Sequence, residues 1–249
     1  ERDTLMRLDK FLGLTGACTR SEAKRAIRKG SVTVNGRTAA TADMQVEPES
    51  DRICFAGTEL VYRRWLYLML NKPEGYVSAT EDGRLPTVLE LLPPELRSRG
   101  LFPCGRLDRN TLGLMLITDN GELSHRLLAP KSHVRKVYRF GVRNPLSAED
   151  VTRLEAGVTL EDGYETLPAT VEPDGTGCGG LITLTEGKYH QIKRMMEAVD
   201  NKIVFLERIR FGPLVLDPDL KRGEWRFLTE DEIAALEAHG TKPSEKTKT

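Results

Sequence analysis

The groups able to do chemistry in this 249-residue chain are 37 carboxylates, 37 Lys and Arg, four histidines and four cysteines. Their spacing removes most options. His125, His133, His190 and His239 show no H-E-x-x-H or comparable ligand spacing, and Cys18, Cys54, Cys104 and Cys178 form no C-x-x-C pair. Neither a metal site nor a disulfide framework is therefore expected. There is no G-x-x-x-x-G-K-S/T phosphate loop, no G-x-G-x-x-G opening a helix after a strand, and no G-x-S-x-G elbow. What remains is an acid on a glycine-flanked loop, Asp108, within Gly105-Arg106-Leu107-Asp108-Arg109-Asn110-Thr111-Leu112-Gly113. Taken alone, such an acid reads either as the polar centre of a site or as a turn carboxylate paired with a neighbouring arginine.

The elements that must position Asp108 follow from the apolar periodicity. Residues 65–70 open a buried strand, Asn71-Lys72-Pro73-Glu74-Gly75 closes it as a turn, and residues 86–92 form a short helix stopped by Pro93-Pro94. After the Asp108 loop, residues 114–118 read as a buried strand, and Asp119 with Glu122 caps a helix that Pro130 ends. Residues 134–142 alternate, with Val134, Lys136, Tyr138, Phe140 and Val142 on one face. Ser147 caps a helix with Val151 and Leu154 inward, residues 181–185 form a strand, and residues 189–199 a helix with Ile192, Met195, Met196 and Val199 inward. Lys193 lies on that helix four residues before Glu197, a spacing whose bland reading is an exposed pair worth tenths of a kcal/mol. Residues 203–210 form another strand, Thr229 and Glu232 cap a last helix, and a polar, flexible tail is expected over 239–249. This is an α+β pattern with a mixed, mostly antiparallel sheet, not the regular βα alternation of a doubly wound fold.

Ahead of it stands a smaller unit. Leu5, Leu8, Phe11 and Leu12 recur at helical spacing over residues 5–14, and Thr19-Arg20-Ser21-Glu22 is a capping box for a helix over 20–29. That helix carries Arg20, Lys24 and Arg28 at i, i+4, i+8, with Arg25 and Lys29 beside them; Gly30 suits its left-handed end. Residues 31–34 alternate like a strand, and Asn35-Gly36 signals a two-residue hairpin. The whole chain is neutral, yet residues 1–37 hold nine Lys and Arg against four acids, a local footprint for a polyanion. Apolar residues make up 39%, enough for a globular core, and the longest apolar run is six residues, far below the ~20 of a membrane helix. The first residues lack the apolar core of a secretory signal. A cytoplasmic, soluble protein with no membrane association is expected.

The small unit resembles the S4-type RNA-binding domain through Met6-Arg7-Leu8-Asp9-Lys10-Phe11-Leu12, Thr19-Arg20-Ser21-Glu22-Ala23 and Gly30-Ser31-Val32-Thr33-Val34-Asn35-Gly36. The larger part resembles pseudouridine synthases through Gly105-Arg106-Leu107-Asp108-x-x-Thr111-x-Gly113-Leu114, Lys136-x-Tyr138 and Glu186-Gly187-Lys188-Tyr189-His190-Gln191-Ile192-Lys193-Arg194-Met195. With Asn71-Lys72-Pro73-x-Gly75, the set is most similar to the RsuA-type enzymes of the small ribosomal subunit. The resemblance implies an RNA-binding domain at 1–62 and a catalytic domain at 66–238. It implies isomerisation of a uridine to pseudouridine in 16S ribosomal RNA, in a precursor or assembling subunit, without cofactor or metal. The alternatives are the large-subunit branch, or a non-catalytic RNA-binding assembly factor of the same fold.

The resemblance also assigns roles. Asp108 is the nucleophile, Tyr138 stacks under the base and helps remove the proton from carbon 5, and Lys193 keeps Asp108 ionised, where many relatives have Arg. Ile192 packs against the base, Arg106 fills the gap left by the flipped uridine, and Arg7, Lys10, Arg20, Lys24, Arg25 and Arg28 contact RNA.

Overall fold

A computed structural model describes residues 5–15, 17–97 and 99–239, without the Arg20 and Glu95 side chains, and the chain divides into two compact units. The tail expected beyond His239 lies outside the described residues.

The first unit runs to Leu66 and takes in Leu92–Leu101 as well. Strand β1 (Met6–Arg7) leads into helices α1 (Leu8–Leu14) and α2 (Arg20–Arg28). The first helix begins three residues later than its apolar spacing suggests, because Met6 and Arg7 pair antiparallel with Val46 and Gln45. At α2 the capping box forms: Glu22 N donates to the Thr19 hydroxyl and Thr19 N to the Glu22 carboxylate. Strands β2 (Val32–Val34), β3 (Arg37–Thr38), β5 (Ile53–Phe55) and β6 (Thr58–Glu59) make an antiparallel sheet ordered β3-β2-β5-β6; β4 is Gln45–Val46, the partner of β1. The β2–β3 turn needs two positive φ angles, and Asn35 (51°) and Gly36 (79°) supply them. Leu8, Phe11, Leu12, Ala23, Val32, Val46 and Ile53 are fully buried in this unit's core. Its second segment contains α3 (Pro94–Arg97) and is held by Arg99, which donates to the carbonyls of Leu14 (2.5 Å) and Arg63 (3.3 Å). Chain order alone assigns that segment to the larger domain at 66–238.

The second unit is built on a nine-stranded sheet. Its strands are β7 (Tyr67–Lys72), β8 (Phe102–Pro103), β9 (Leu112–Thr118), β10 (Lys136–Val142), β11 (Thr170–Pro173), β12 (Gly179–Leu184), β13 (Ile203–Phe211), β14 (Leu214–Val215) and β15 (Trp225–Phe227). They are ordered β11-β12-β10-β13-β9-β7-β15, with β14 on β13 and β8 on β9. All pairs are antiparallel except β9–β13, so the sheet is mixed as expected. Every residue of β7 is buried, which is why its first four read as a continuous apolar run and not as an alternation; Asn71 and Lys72, expected in the closing turn, extend the strand.

The helices that attend the sheet are α4 (Gly121–Leu128), α5 (Ala148–Ala156), α6 (Gln191–Glu197) and α7 (Glu230–Ala238). Ser147 with Asp150, and Thr229 with Glu232, form the caps of α5 and α7. The cap of α4 is Asn120, not Asp119. Its Oδ1 accepts from Leu123 N at 3.0 Å while its Nδ2 donates to the Tyr67 hydroxyl at 2.9 Å, and a carboxylate could not make the second bond. Residues 88–91 form a 3₁₀ turn in place of the helix expected over 86–92. Among the described residues no helix is long and apolar enough to cross a membrane.

Candidate active site

The Asp108 loop is a tight turn held from three directions. Thr111 N donates to Asp108 O at 3.0 Å, closing the turn, and Ser78 brackets Leu107 by accepting from its N–H (2.9 Å) and donating to its carbonyl (2.8 Å). Beneath it, the fully buried Lys72 at the end of β7 places its three N–H donors on the carbonyls of Pro73, Arg109 (both 3.1 Å) and Thr111 (2.8 Å). Two of those carbonyls flank the tip of the turn, so Lys72 pins the loop from below. Burial pushes this ammonium down to about 8, partly offset by the charges of Asp108 and Glu74.

Gly113 explains why a glycine follows the turn. Its φ is +99°, and a Cβ there would lie 2.2 Å from the carbonyl oxygen of Arg208 on β13. Any side chain would force apart β9 and β13, the parallel pair.

Asp108 meets α6 directly. Lys193 Nζ stands 2.6 Å from Asp108 Oδ2 and 2.7 Å from Asn110 Oδ1, across more than 80 residues of sequence. His190 Nε2 lies 3.5 Å from Asp108 Oδ1. The carboxylate and ammonium side chains are 25% and 20% exposed, a partly enclosed pair that substrate can still reach. Among the described residues Asp108 pairs with no neighbouring arginine; its partners there are Lys193 and His190. The Glu197 pairing open to Lys193 is not made either.

The sheet register draws a row through this region. Ile182 on β12 stands opposite Tyr138 on β10, Tyr138 opposite Arg208 on β13, Arg208 opposite Gly113 on β9, and Gly113 opposite Lys72 on β7. At about 4.8 Å per strand, Tyr138 lies about two strand spacings from the start of β9, which the Asp108 turn leads into. Tyr138 is buried. Arg208 is fully buried, its Nε donating to Leu114 O at 2.8 Å and its guanidinium lying 5.0 Å from the Phe211 ring centre. Lys193 thus lies directly on one accessible carboxylate, and Lys72 beneath the loop adds a second positive charge close to it.

Ile192, next to Lys193 in the first turn of α6, is buried, while Arg106 is exposed and makes no side-chain hydrogen bond or ion pair among the described residues. In the first unit Lys10, Lys24, Arg25 and Arg28 are exposed. Arg7 grips the buried Asp9 through Nε (3.1 Å) and Nη2 (2.9 Å), leaving part of its fork for other contacts. The Arg20 side chain lies outside the described atoms. Four residues of the site were not among the sequence candidates: Lys72, Asn110, His190 and Arg208. A visible signal existed for two of them, a cation at the end or in the middle of an apolar strand.

Residues 66–176 match the RNA pseudouridylate synthase family, and residues 6–53 match the S4 domain. The chain is 44% identical over 234 residues to an uncharacterized RNA pseudouridine synthase of Bacillus subtilis (strain 168), covering 93% of this chain and 98% of that one. It is 41% identical over 233 residues to ribosomal small subunit pseudouridine synthase A of Escherichia coli (strain K12), covering 93% and 100%. A crystal structure of a pseudouridylate synthase superposes with a TM-score of 0.66 at 38% identity, over 93% of this chain and 99% of that one.

Proposed function

The chain belongs to the RNA pseudouridine synthases, and from that premise we propose that it isomerises one uridine of 16S ribosomal RNA in the cytoplasm, in a precursor or assembling small subunit. The small-subunit relatives at 41% identity over the full length of their chains support the choice of 16S RNA. The observation that carries the catalytic reading is the 2.6 Å contact between Asp108 and Lys193, which unites two motifs distant in sequence.

In this reading a uridine flips from its RNA at a cost of a few kcal/mol and enters beside Asp108. The carboxylate attacks as nucleophile, the bond between nitrogen 1 and the sugar breaks, and the base turns. Carbon 5 then joins the sugar and the bond to Asp108 breaks, restoring the free carboxylate; the carbon 5 hydrogen leaves as a proton with help from the Tyr138 hydroxyl, and nitrogen 1 ends protonated. No electrons and no atoms are gained or lost, so the chemistry calls for no redox partner. Lys193 pairs with the nucleophile and aims it, Ile192 packs on the base, and Arg106 reaches toward the space the base has left. Lys10, Lys24, Arg25 and Arg28, with Arg7 and Arg20, hold phosphates.

The test is a map of pseudouridines in 16S and 23S RNA from cells lacking the gene, complemented with wild type or Asp108→Asn. One 16S uridine should lose its modification and regain it only with wild type. Loss of a 23S site would favour the large-subunit branch, and an unchanged map would refute the assignment. In vitro the Asp108→Asn rate should fall on the order of 10⁶-fold.

A further inference from the structure

A cavity of about 340 Å³ lies at the start of β10, outside the Asp108 site, and none of Asp108, Tyr138, Ile192 or Lys193 lines it. Its volume is in the range of a small-molecule or single-nucleotide site. Leu128 and Leu167 contribute to its lining yet remain 42% and 40% exposed, an apolar rim that the fold does not cover. Exposed Lys131 and Lys188 line it together with Lys136. The one carboxylate among the described lining residues, Glu186, is already engaged three times, by the Tyr164 hydroxyl (2.6 Å), Leu167 N (2.8 Å) and Gln191 Nε2 (2.6 Å). Three lysines against this one carboxylate leave the lining net cationic.

Two routes through the structure connect this cavity to the active site. Lys136 stands two residues before Tyr138 on one strand face, about 6.8 Å away. Glu186 joins the cavity wall to Gln191, the first residue of α6, two before Lys193. The Tyr164 ring is fixed as well, its hydroxyl on Glu186 and its face 4.5 Å from Lys188 Nζ. The wall is preformed, apolar at its rim and cationic at its edge.

We propose that this cavity binds the nucleotide adjoining the target uridine in the RNA strand, its base against Leu128, Leu167 and Tyr164 and its phosphate beside Lys131 and Lys188. The proposal rests on the pseudouridine synthase reading for the class of ligand only. Its consequence is that the enzyme recognises a splayed pair of nucleotides and not a single flipped uridine.

The full chain is titrated with uridine 5′-monophosphate, the trinucleotide UpUpU, and the same trinucleotide with both outer bases removed. Binding is read at equilibrium, so turnover is not required. Leu128→Ala/Leu167→Ala should weaken the trinucleotide about tenfold, as expected when one base is deprived of its packing surface. It should leave the monophosphate and the base-free trinucleotide within twofold of wild type. Lys131→Ala/Lys188→Ala should weaken both trinucleotides and flatten their salt dependence. An unchanged trinucleotide affinity in the leucine variant, or an equal weakening on the base-free strand, would overturn the proposal. Binding that follows these expectations while the rRNA map stays unchanged would uphold the cavity and reject only the 16S assignment.

Discussion

Replacing Lys193 by Met tests whether the contact across α6 serves catalysis. The ammonium lies 2.6 Å from Asp108 Oδ2 and 2.7 Å from Asn110 Oδ1, with both charged side chains one fifth to one quarter exposed. Coulomb's law at an effective dielectric of about 20 gives about 6 kcal/mol at that separation, an upper bound before desolvation and screening. Hydrogen bonds to charged groups measure about 1.5–3 kcal/mol net. With residual solvent access, a loss of about 2–3 kcal/mol of transition-state stabilisation is expected, which at 1.36 kcal/mol per tenfold is about 30- to 160-fold in kcat. Lys193→Arg retains the charge and should stay within about tenfold of wild type, and Lys202→Met, exposed beside Arg143 past the Val142 end of β10, should match wild type. The assay is tritium release from an rRNA transcript carrying 5-tritiated uridine, under single turnover with saturating enzyme, since the carbon 5 hydrogen leaves in the reaction. A Lys193→Met rate within threefold of wild type would refute the reasoning and return Lys193 to the role of a surface charge.

Lys72 should reveal itself through pH. Its folded pKa of about 8 lies below the ordinary 10.5, so between pH 8 and 10.5 the unfolded chain binds the extra proton and stability rises with pH on account of this group. Urea unfolding at pH 7 and pH 10 should show wild type gaining stability relative to Lys72→Met as pH rises; a constant difference would contradict the buried ammonium. Gly113→Ala should cost about 3 kcal/mol or more, from a positive φ and a 2.2 Å clash with the Arg208 carbonyl, and a melting temperature near wild type would contradict that packing. Neutralising Lys24, Arg25 and Arg28 should weaken rRNA binding and reduce its log–log salt slope by about one for each phosphate no longer neutralised, leaving the saturating rate nearly unchanged. An unchanged slope would remove these side chains from the RNA interface.

Local physics made much of this protein legible from its residues alone. Capping boxes at Thr19, Ser147 and Thr229, the hairpin at Asn35-Gly36 and the alternation leading to Tyr138 each depend on neighbours within a few positions, and the structure contains all of them. The order of motifs also carried the family. Where the expectation slipped, a distant partner decided: Asn120 displaces Asp119 as a cap because Tyr67 lies beside it, and Leu92–Leu101 joins the first unit through Arg99.

The chemistry of the Asp108 loop belongs to the second category. A short string around one aspartate cannot distinguish a turn acid from a nucleophile, since the distinction lies in what stands opposite. Here that is Lys193 from α6, Lys72 from β7 and the Arg208 strand, brought together by contacts and sheet pairings that span from about 40 to more than 90 residues of chain. Sequence by itself determined most helices and turns and the family of this protein, because these are set by short-range sterics and by motif order. Tertiary structure alone decided which charges share the pocket and which leucines stay uncovered beside it, because Coulomb energy and burial depend on distances that only the folded sheet sets.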